Sequence, residues 1–144
     1  MIRGDRRRLF MGLYIYVAAA AIAVFGITFV FKSNVEKIKT DPEQAPKAQT
    51  NFFIGAAISE TLPIILLVLG LINQETAGSM EDIYFPAILI IMLMAFAVFF
   101  IMLQRSVGVP EDSKNIVHTF SFIAIAMANA IPIAALVFLF LSVQ

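Results

Sequence analysis

Four long apolar stretches are the feature of this sequence that most limits its fold. They cover about residues 9–31, 52–73, 84–103 and 119–142. Each holds about 20 residues or more, enough for a helix to cross a hydrocarbon core of roughly 30 Å. Inside lipid the backbone has no water to bond with, and a helix satisfies its own N–H and C=O groups. The sequence therefore predicts an all-α membrane protein with four transmembrane helices and no soluble domain.

Composition supports this prediction and excludes several classes of function. Hydrophobic residues make up 60% of the 144 residues, against about 45–50% in soluble domains. The net charge is zero, so nothing indicates nucleic-acid binding. Because the chain has no cysteine and a single histidine, His118, it offers no disulfide and no thiolate or histidine metal site. We expect His118 to lie at the membrane interface, and we expect no cofactor and no catalytic site within this chain.

The N-terminus resembles a secretory signal in two respects. Four arginines precede the first apolar stretch, and a run of alanines at residues 18–21 imitates a small-residue cleavage site. The apolar stretch is longer than a typical signal core. We therefore favour a first membrane helix over a cleaved signal.

The second half of the chain repeats the first. Residues 49–72 align with residues 118–141 at an offset of 69, with eight of 24 positions identical. Membrane helices draw on few residue types, so chance is the alternative. Shared threonines (Thr50, Thr119) and prolines (Pro63, Pro132) at one offset favour duplication. We predict two tandem helical hairpins, residues 1–74 and 75–144, a plan that is common in membrane transporters.

Glu60 is the candidate functional residue, because it is the only charged side chain inside the four apolar stretches. A carboxylate at that depth costs several kcal/mol. Desolvation disfavours its charged form, so the group can bind and release a proton near neutral pH. The alternative is a permanently protonated acid that only holds helices together. At the repeat offset, Glu60 corresponds to Asn129, which cannot titrate.

Residues around Glu60 complete the predicted site. Gly55 and Ser59 have the spacing of small residues that lets membrane helices approach closely. Pro63 lacks a backbone donor and frees the Ser59 carbonyl. Thr61 follows Glu60 directly and supplies a hydroxyl group. We expect Ser59, Thr61, Pro63 and Asn129 to be neighbours of the ion site.

Residues 36–72 resemble the c subunit, or proteolipid, of rotary ATP synthases. That family has a glutamate near the end of its first helix, a polar loop with Pro-Glu, and then a Phe-Ile-Gly…Glu-x-Leu-Pro-Ile helix. The matching residues here are Glu36, Pro42, Glu43, Phe53, Ile54, Gly55, Glu60, Leu62, Pro63 and Ile64.

The resemblance implies a role and partners. Family members form a homo-oligomeric ring that turns in the membrane, and Glu60 matches their ion-carrying carboxylate. The implied partners are further copies of the chain, a stator subunit with an arginine, and central-stalk subunits that contact loops 32–51 and 104–118. The lysines of these loops weakly favour the cytoplasmic side, and the implied location is the bacterial cell membrane.

Two departures from the family pattern qualify this resemblance. Fused hairpins with one carboxylate resemble V-type proteolipids and a few bacterial sodium-linked rings. The run of alternating glycines in the first helix of the family is reduced to Gly26, so inner helices should pack less tightly and widen the ring. The residues at the other aligned positions are Ile22, Val24 and Thr28.

The transported ion is the remaining question. Sodium-binding relatives usually carry a glutamine in the first helix, where this chain has Ile27, and a hydroxyl after the glutamate, which Thr61 supplies. We therefore favour the proton over sodium. The competing hypotheses are a small non-rotary transporter or channel, and a structural proteolipid built on the same hairpin.

Overall fold

A computed structural model describes residues 2–74 and 79–143, and within these ranges all regular structure is helical. The four long helices are long and apolar enough to cross a membrane, which confirms the predicted fold class. They are α1 (Ile2–Thr40), α2 (Ala45–Ile72), α3 (Glu81–Ser106) and α4 (Lys114–Leu141). Short 3-10 turns, Pro42–Gln44 and Glu111–Ser113, precede α2 and α4.

The helices extend well beyond the apolar stretches. The segment expected as a polar loop, residues 32–51, is helical except at residues 41–44. Lysine and glutamate have good helix propensity, so the polar residues after Phe31 continue the helix. Asp41 ends this continuation, and its Oδ1 accepts the Glu43 N–H at 3.1 Å. The connection between the two halves lies partly outside the described residues.

Helix α1 is the centre of the bundle and packs against the other three helices. The Phe31 ring contacts Phe52 of α2 and Phe120 of α4, with centroids 6.3 and 5.2 Å away. Phe25 contacts Phe96 of α3 at 5.6 Å. In contrast, α2 and α3, both fully described, hardly touch each other. The order across the bundle therefore places α1 and α4 in the middle and α2 and α3 at the two ends.

The ring contacts also fix the registers of the helices. Tyr14 lies beside Phe85 and Phe25 beside Phe96, so α1 and α3 run parallel with an offset of 71 residues. The helices α2 and α4 are both 28 residues long and begin 69 residues apart, and the two 3-10 turns have the same separation.

Both polar turns lie at one end of the bundle. The Lys39 Nζ donates a hydrogen bond to the Val107 carbonyl at 2.8 Å, which joins the end of α1 to the end of α3. Ser113 Oγ donates to the Ile38 carbonyl at 3.4 Å. Loops 32–51 and 104–118 are therefore on the same side of the apolar layer, as the resemblance implied.

Candidate ion-binding site

Gly26 and Gly55 bring α1 and α2 close together at the level of Glu60 and about one turn before it along α2. A Cβ atom on Gly26 would lie 2.9 Å from the Ser59 Cβ, so α2 approaches α1 without an intervening side chain. A Cβ atom on Gly55 would lie 2.6 Å from Val30 Cγ1. These contacts confirm the close approach expected from the small residues at positions 55 and 59, and they place Glu60 level with the middle of α1.

Glu60 is half-buried at the edge of this contact. It follows Phe52 and Ala56, which are both buried, at steps of four residues along one side of α2. The Phe52 ring meets the Phe120 ring of α4 edge to face, with centroids 5.0 Å apart, so this side of α2 is directed towards α4. Within the described residues, the Glu60 carboxyl group has no hydrogen-bond partner and no ion pair.

The neighbours predicted along α2 have different environments. Ser59 is half-buried and faces Gly26, whereas Thr61 is exposed and its hydroxyl donates to the Ala57 carbonyl at 2.9 Å. Pro63 is buried, and α2 continues through it without a break. Only Ser59 and Thr61 therefore offer side-chain oxygens beside Glu60 on the same helix.

Asn129 lies at the same depth as Glu60. The contact between Phe52 and Phe120 sets α2 and α4 at an offset of 68 residues, which puts Glu60 level with residue 128. Asn129 Nδ2 donates to the Ile125 carbonyl at 3.0 Å, and its buried Oδ1 has no partner among the described residues. The structure brings Asn129 to the level of Glu60 but does not join the two side chains by a hydrogen bond.

The other helices contribute mostly apolar atoms at this depth. Ile27 of α1 is fully buried, and α3 presents Leu93, Phe96 and Ala97. Thr28 occupies a position where the family has glycine. It is a buried polar residue near the level of Glu60. Its hydroxyl donates to the Val24 carbonyl at 2.7 Å, so it is occupied within its own helix. Among the described residues, no group of three or more histidine, aspartate or glutamate side chains could hold a metal ion.

A comparison with known proteins decides the family. The ATP synthase subunit c of Alkalihalobacillus alcalophilus is 33% identical over 71 residues, an alignment that covers 46% of this chain and 100% of that protein. This chain belongs to the ATP synthase subunit c family. With four helices of membrane-spanning length, this family member is an integral membrane protein. No family model matches the chain, and no solved structure matches it.

Proposed function

We propose that this member of the subunit c family is a proton-translocating rotor subunit in the membrane sector of a rotary ATP synthase or ATPase, with Glu60 as the ion carrier. The observation that carries the proposal is that Glu60 is the only charged side chain in the four apolar stretches. A charged residue at the centre of a membrane helix costs about 2.5–3.5 kcal/mol on insertion scales, and such residues usually mark ion pathways.

The oxygen atoms around Glu60 favour a proton as the transported ion. A hard cation requires several oxygen ligands, whereas a proton requires only the carboxyl group. Ser59 and Thr61 are the hydroxyl residues next to Glu60, and Ile27 is apolar where sodium-binding relatives have glutamine. Sodium is the second candidate, because the oxygen of the Thr61 hydroxyl group can coordinate a cation.

We further propose that the chain consists of two fused hairpins, residues 1–74 and 75–144, with one ion carrier per chain. The family relative matches over its whole length to 46% of this chain, so a second hairpin of that size fits in the remainder. The common offset of 69 residues in α2, α4 and their preceding turns supports the same division. Asn129 would then mark an inactive second site.

The ends of the bundle support assembly of copies into a ring. In the apolar 18-residue segment of each helix, only 22% of α2 and 28% of α3 are buried. The corresponding shares are 44% for α1 and 39% for α4. Contacts between α2 of one copy and α3 of the next would be head-to-tail, and such contacts form a ring when the rotation between copies closes. The assembly partners are a stator subunit with an arginine and stalk subunits that bind loops 32–51 and 104–118 on the cytoplasmic side of a bacterial membrane.

Labelling with a hydrophobic carbodiimide tests this proposal, because the reagent modifies protonated carboxyl groups in apolar surroundings. The purified protein would be labelled from mildly acidic to alkaline pH, with and without sodium, and the modified residue mapped by mass spectrometry. We expect one label per chain, at Glu60, with a rate that falls as pH rises and does not change with sodium. Glu43, which is exposed in the polar turn, serves as the internal control and should remain unlabelled.

Three results would contradict parts of the proposal. Protection by sodium would exclude the proton assignment, and absence of label at Glu60 would exclude the titrating carboxyl group. Glu60→Gln should remove labelling and reduce ATP-driven proton pumping to background in vesicles that contain the whole complex. Unchanged pumping in this variant would favour a structural proteolipid over a rotor subunit.

A further inference from the structure

The N-terminal half of α1 carries a continuous strip of residues that the rotor function does not use. The strip begins with an arginine, continues with two aromatic residues and ends among apolar ones. Its members recur at steps of three or four residues, so they share one side of the helix. They are Arg7, Phe10, Tyr14, Val17, Ala21 and Phe25.

The apolar part of the strip lines a groove between α1 and α3. The groove has a volume of about 430 Å³, within the range of ligand sites. Its walls are apolar side chains of these two helices, and no residue of α2 or α4 lines it. Because both walls come from one chain, the groove exists without a second copy. The walls include Val17, Ala21 and Phe25 of α1 and Leu89, Met92 and Phe96 of α3.

The groove lies near the middle of the bilayer, at the depth that the end of an acyl chain reaches from the N-terminal side. The membrane-spanning part of α1 begins at Phe10, and a helix rises 1.5 Å per residue, so Ala21 lies roughly 17 Å inside. Half of a hydrocarbon core is about 15 Å thick. By the same count Val17 and Phe25 lie roughly 10 and 22 Å inside, so the groove begins within this leaflet and extends past the middle of the bilayer, where the end of an acyl chain lies.

The polar end of the strip lies at the level of lipid headgroups. Arg7 is exposed one turn before the membrane-spanning part begins. Between Arg7 and the groove, the Phe10 ring stacks on the Tyr14 ring with centroids 4.2 Å apart. The centroid of the Tyr14 ring lies 6.3 Å from that of Phe85. Tyrosine, with its polar hydroxyl group, is enriched at the membrane interface.

The acidic residues at the start of α3 are the competing partners for Arg7. Glu81 and Asp82 lie near the level of Phe10, by the register of α1 and α3. Asp82 Oδ2 accepts the Ser79 N–H at 3.2 Å, which caps its own helix. Within the described residues, neither carboxylate forms an ion pair with Arg7.

We propose that this strip binds one anionic phospholipid per chain, with the phosphate at Arg7 and one acyl chain in the groove between α1 and α3. Such a basic residue at the membrane surface attracts anionic lipid, and the groove orders the chain below it. The site does not require Glu60 to titrate, so it stands or falls independently of the rotor function.

Native mass spectrometry of the full-length protein tests the site. The detergent-extracted protein would be mixed with equal amounts of phosphatidylglycerol and phosphatidylcholine, and the lipids retained per chain would be counted. We expect one retained phosphatidylglycerol, preferred over phosphatidylcholine by about fivefold, the effect of one basic residue near the surface. Arg7→Gln should remove that preference.

Two matched controls separate a built site from general attraction. Position 8 is rotated from position 7 by about 100° around the helix, so Arg8→Gln should leave the preference almost unchanged. Ala21→Phe fills the groove and should lower retention of both lipids severalfold, whereas Ala95→Phe, on an exposed position outside the groove, should not. Equal losses in Arg7→Gln and Arg8→Gln, or unchanged retention in Ala21→Phe, would overturn the proposal.

Discussion

Glu60 and Asn129 lie 69 residues apart, the offset of the proposed repeat, and they carry different end groups, a carboxyl group and an amide. Both are half-buried at the same depth of parallel helices, three residues before a buried proline. The Asn129 amide bonds to its own helix and leaves its Oδ1 unpaired. Because an amide has no acidic proton to exchange, we propose that only Glu60 carries an ion.

Replacement of the amide by a carboxyl group should create a second ion carrier. Asn129→Asp places a carboxyl group at the depth of Glu60, where desolvation favours its protonated form. We expect carbodiimide labelling to rise from one to two labels per chain, with the second label at position 129. Labelling followed by peptide mapping would measure this directly.

Asn115→Asp provides the control for this substitution. Asn115 is exposed in the first turn of α4, where water stabilises the ionised carboxylate, so no additional label is expected there. A single label in Asn129→Asp would show that the second half does not offer an equivalent site, and it would count against the duplicated hairpin.

Close packing of α1 on α2 depends on glycines, although only one glycine of the run typical of the family is kept. Gly26 and Gly55 face Ser59 and Val30 directly. At the other aligned positions, Val24 and Thr28 are buried and Ile22 is exposed. The larger residues therefore do not separate α1 from α2, while their effect on the width of a ring stays a prediction.

A methyl group at position 55 should destabilise this helix pair. In Gly55→Ala the new Cβ would lie 2.6 Å from Val30 Cγ1, and overpacking of this kind typically costs about 1–3 kcal/mol. Unfolding of the detergent-solubilised protein by a denaturing detergent, followed by circular dichroism, would measure the loss. Gly12→Ala is the matched control, because no atom lies within 4 Å of a Cβ at Gly12, and it should be neutral or slightly stabilising.

A second substitution distinguishes the steric cause from a general intolerance of side chains. Val30→Ala removes the two Cγ atoms that the new methyl group meets. The double variant Gly55→Ala, Val30→Ala should therefore lose less stability than the sum of the two single variants. Simple additivity would mean that the clash at Val30 is not the source of the loss.

At the scale of the whole molecule, the sequence predicts the elements better than their arrangement. Hydropathy alone identified the four helices, because lipid permits few other backbone structures. The helix ends were misjudged, since the polar residues 32–40 continue α1 outside the apolar layer. The position of Glu60 near the middle of its apolar stretch, and the small residues beside it, could be predicted from their spacing in the sequence. The central position of α1 and the groove beside Phe25 depend on contacts between distant residues, which periodicity does not encode.

The open flanks of α2 and α3 lead to a prediction about assembly. Ile58 and Phe99 are 70% and 68% exposed, and the helix registers place them at similar depth on opposite ends of the bundle. If copies join head-to-tail, these positions come together between neighbouring chains. The natural chain has no cysteine, so the double variant Ile58→Cys, Phe99→Cys should form a ladder of covalent oligomers when oxidised in the membrane, visible on a denaturing gel.

The geometry of disulfides makes this result specific. A disulfide requires Cα atoms within about 7 Å, and α1 separates α2 from α3 within one chain, so bonds can form only between chains. Each single-cysteine variant has one thiol and should give dimers at most. Dilution with excess lipid before oxidation should leave the ladder intact if copies form a stable ring, because random collisions become rarer. A double variant that stays monomeric or stops at dimers would exclude head-to-tail assembly through these flanks. Lipid, and not a second copy, would then cover the apolar ends of the bundle.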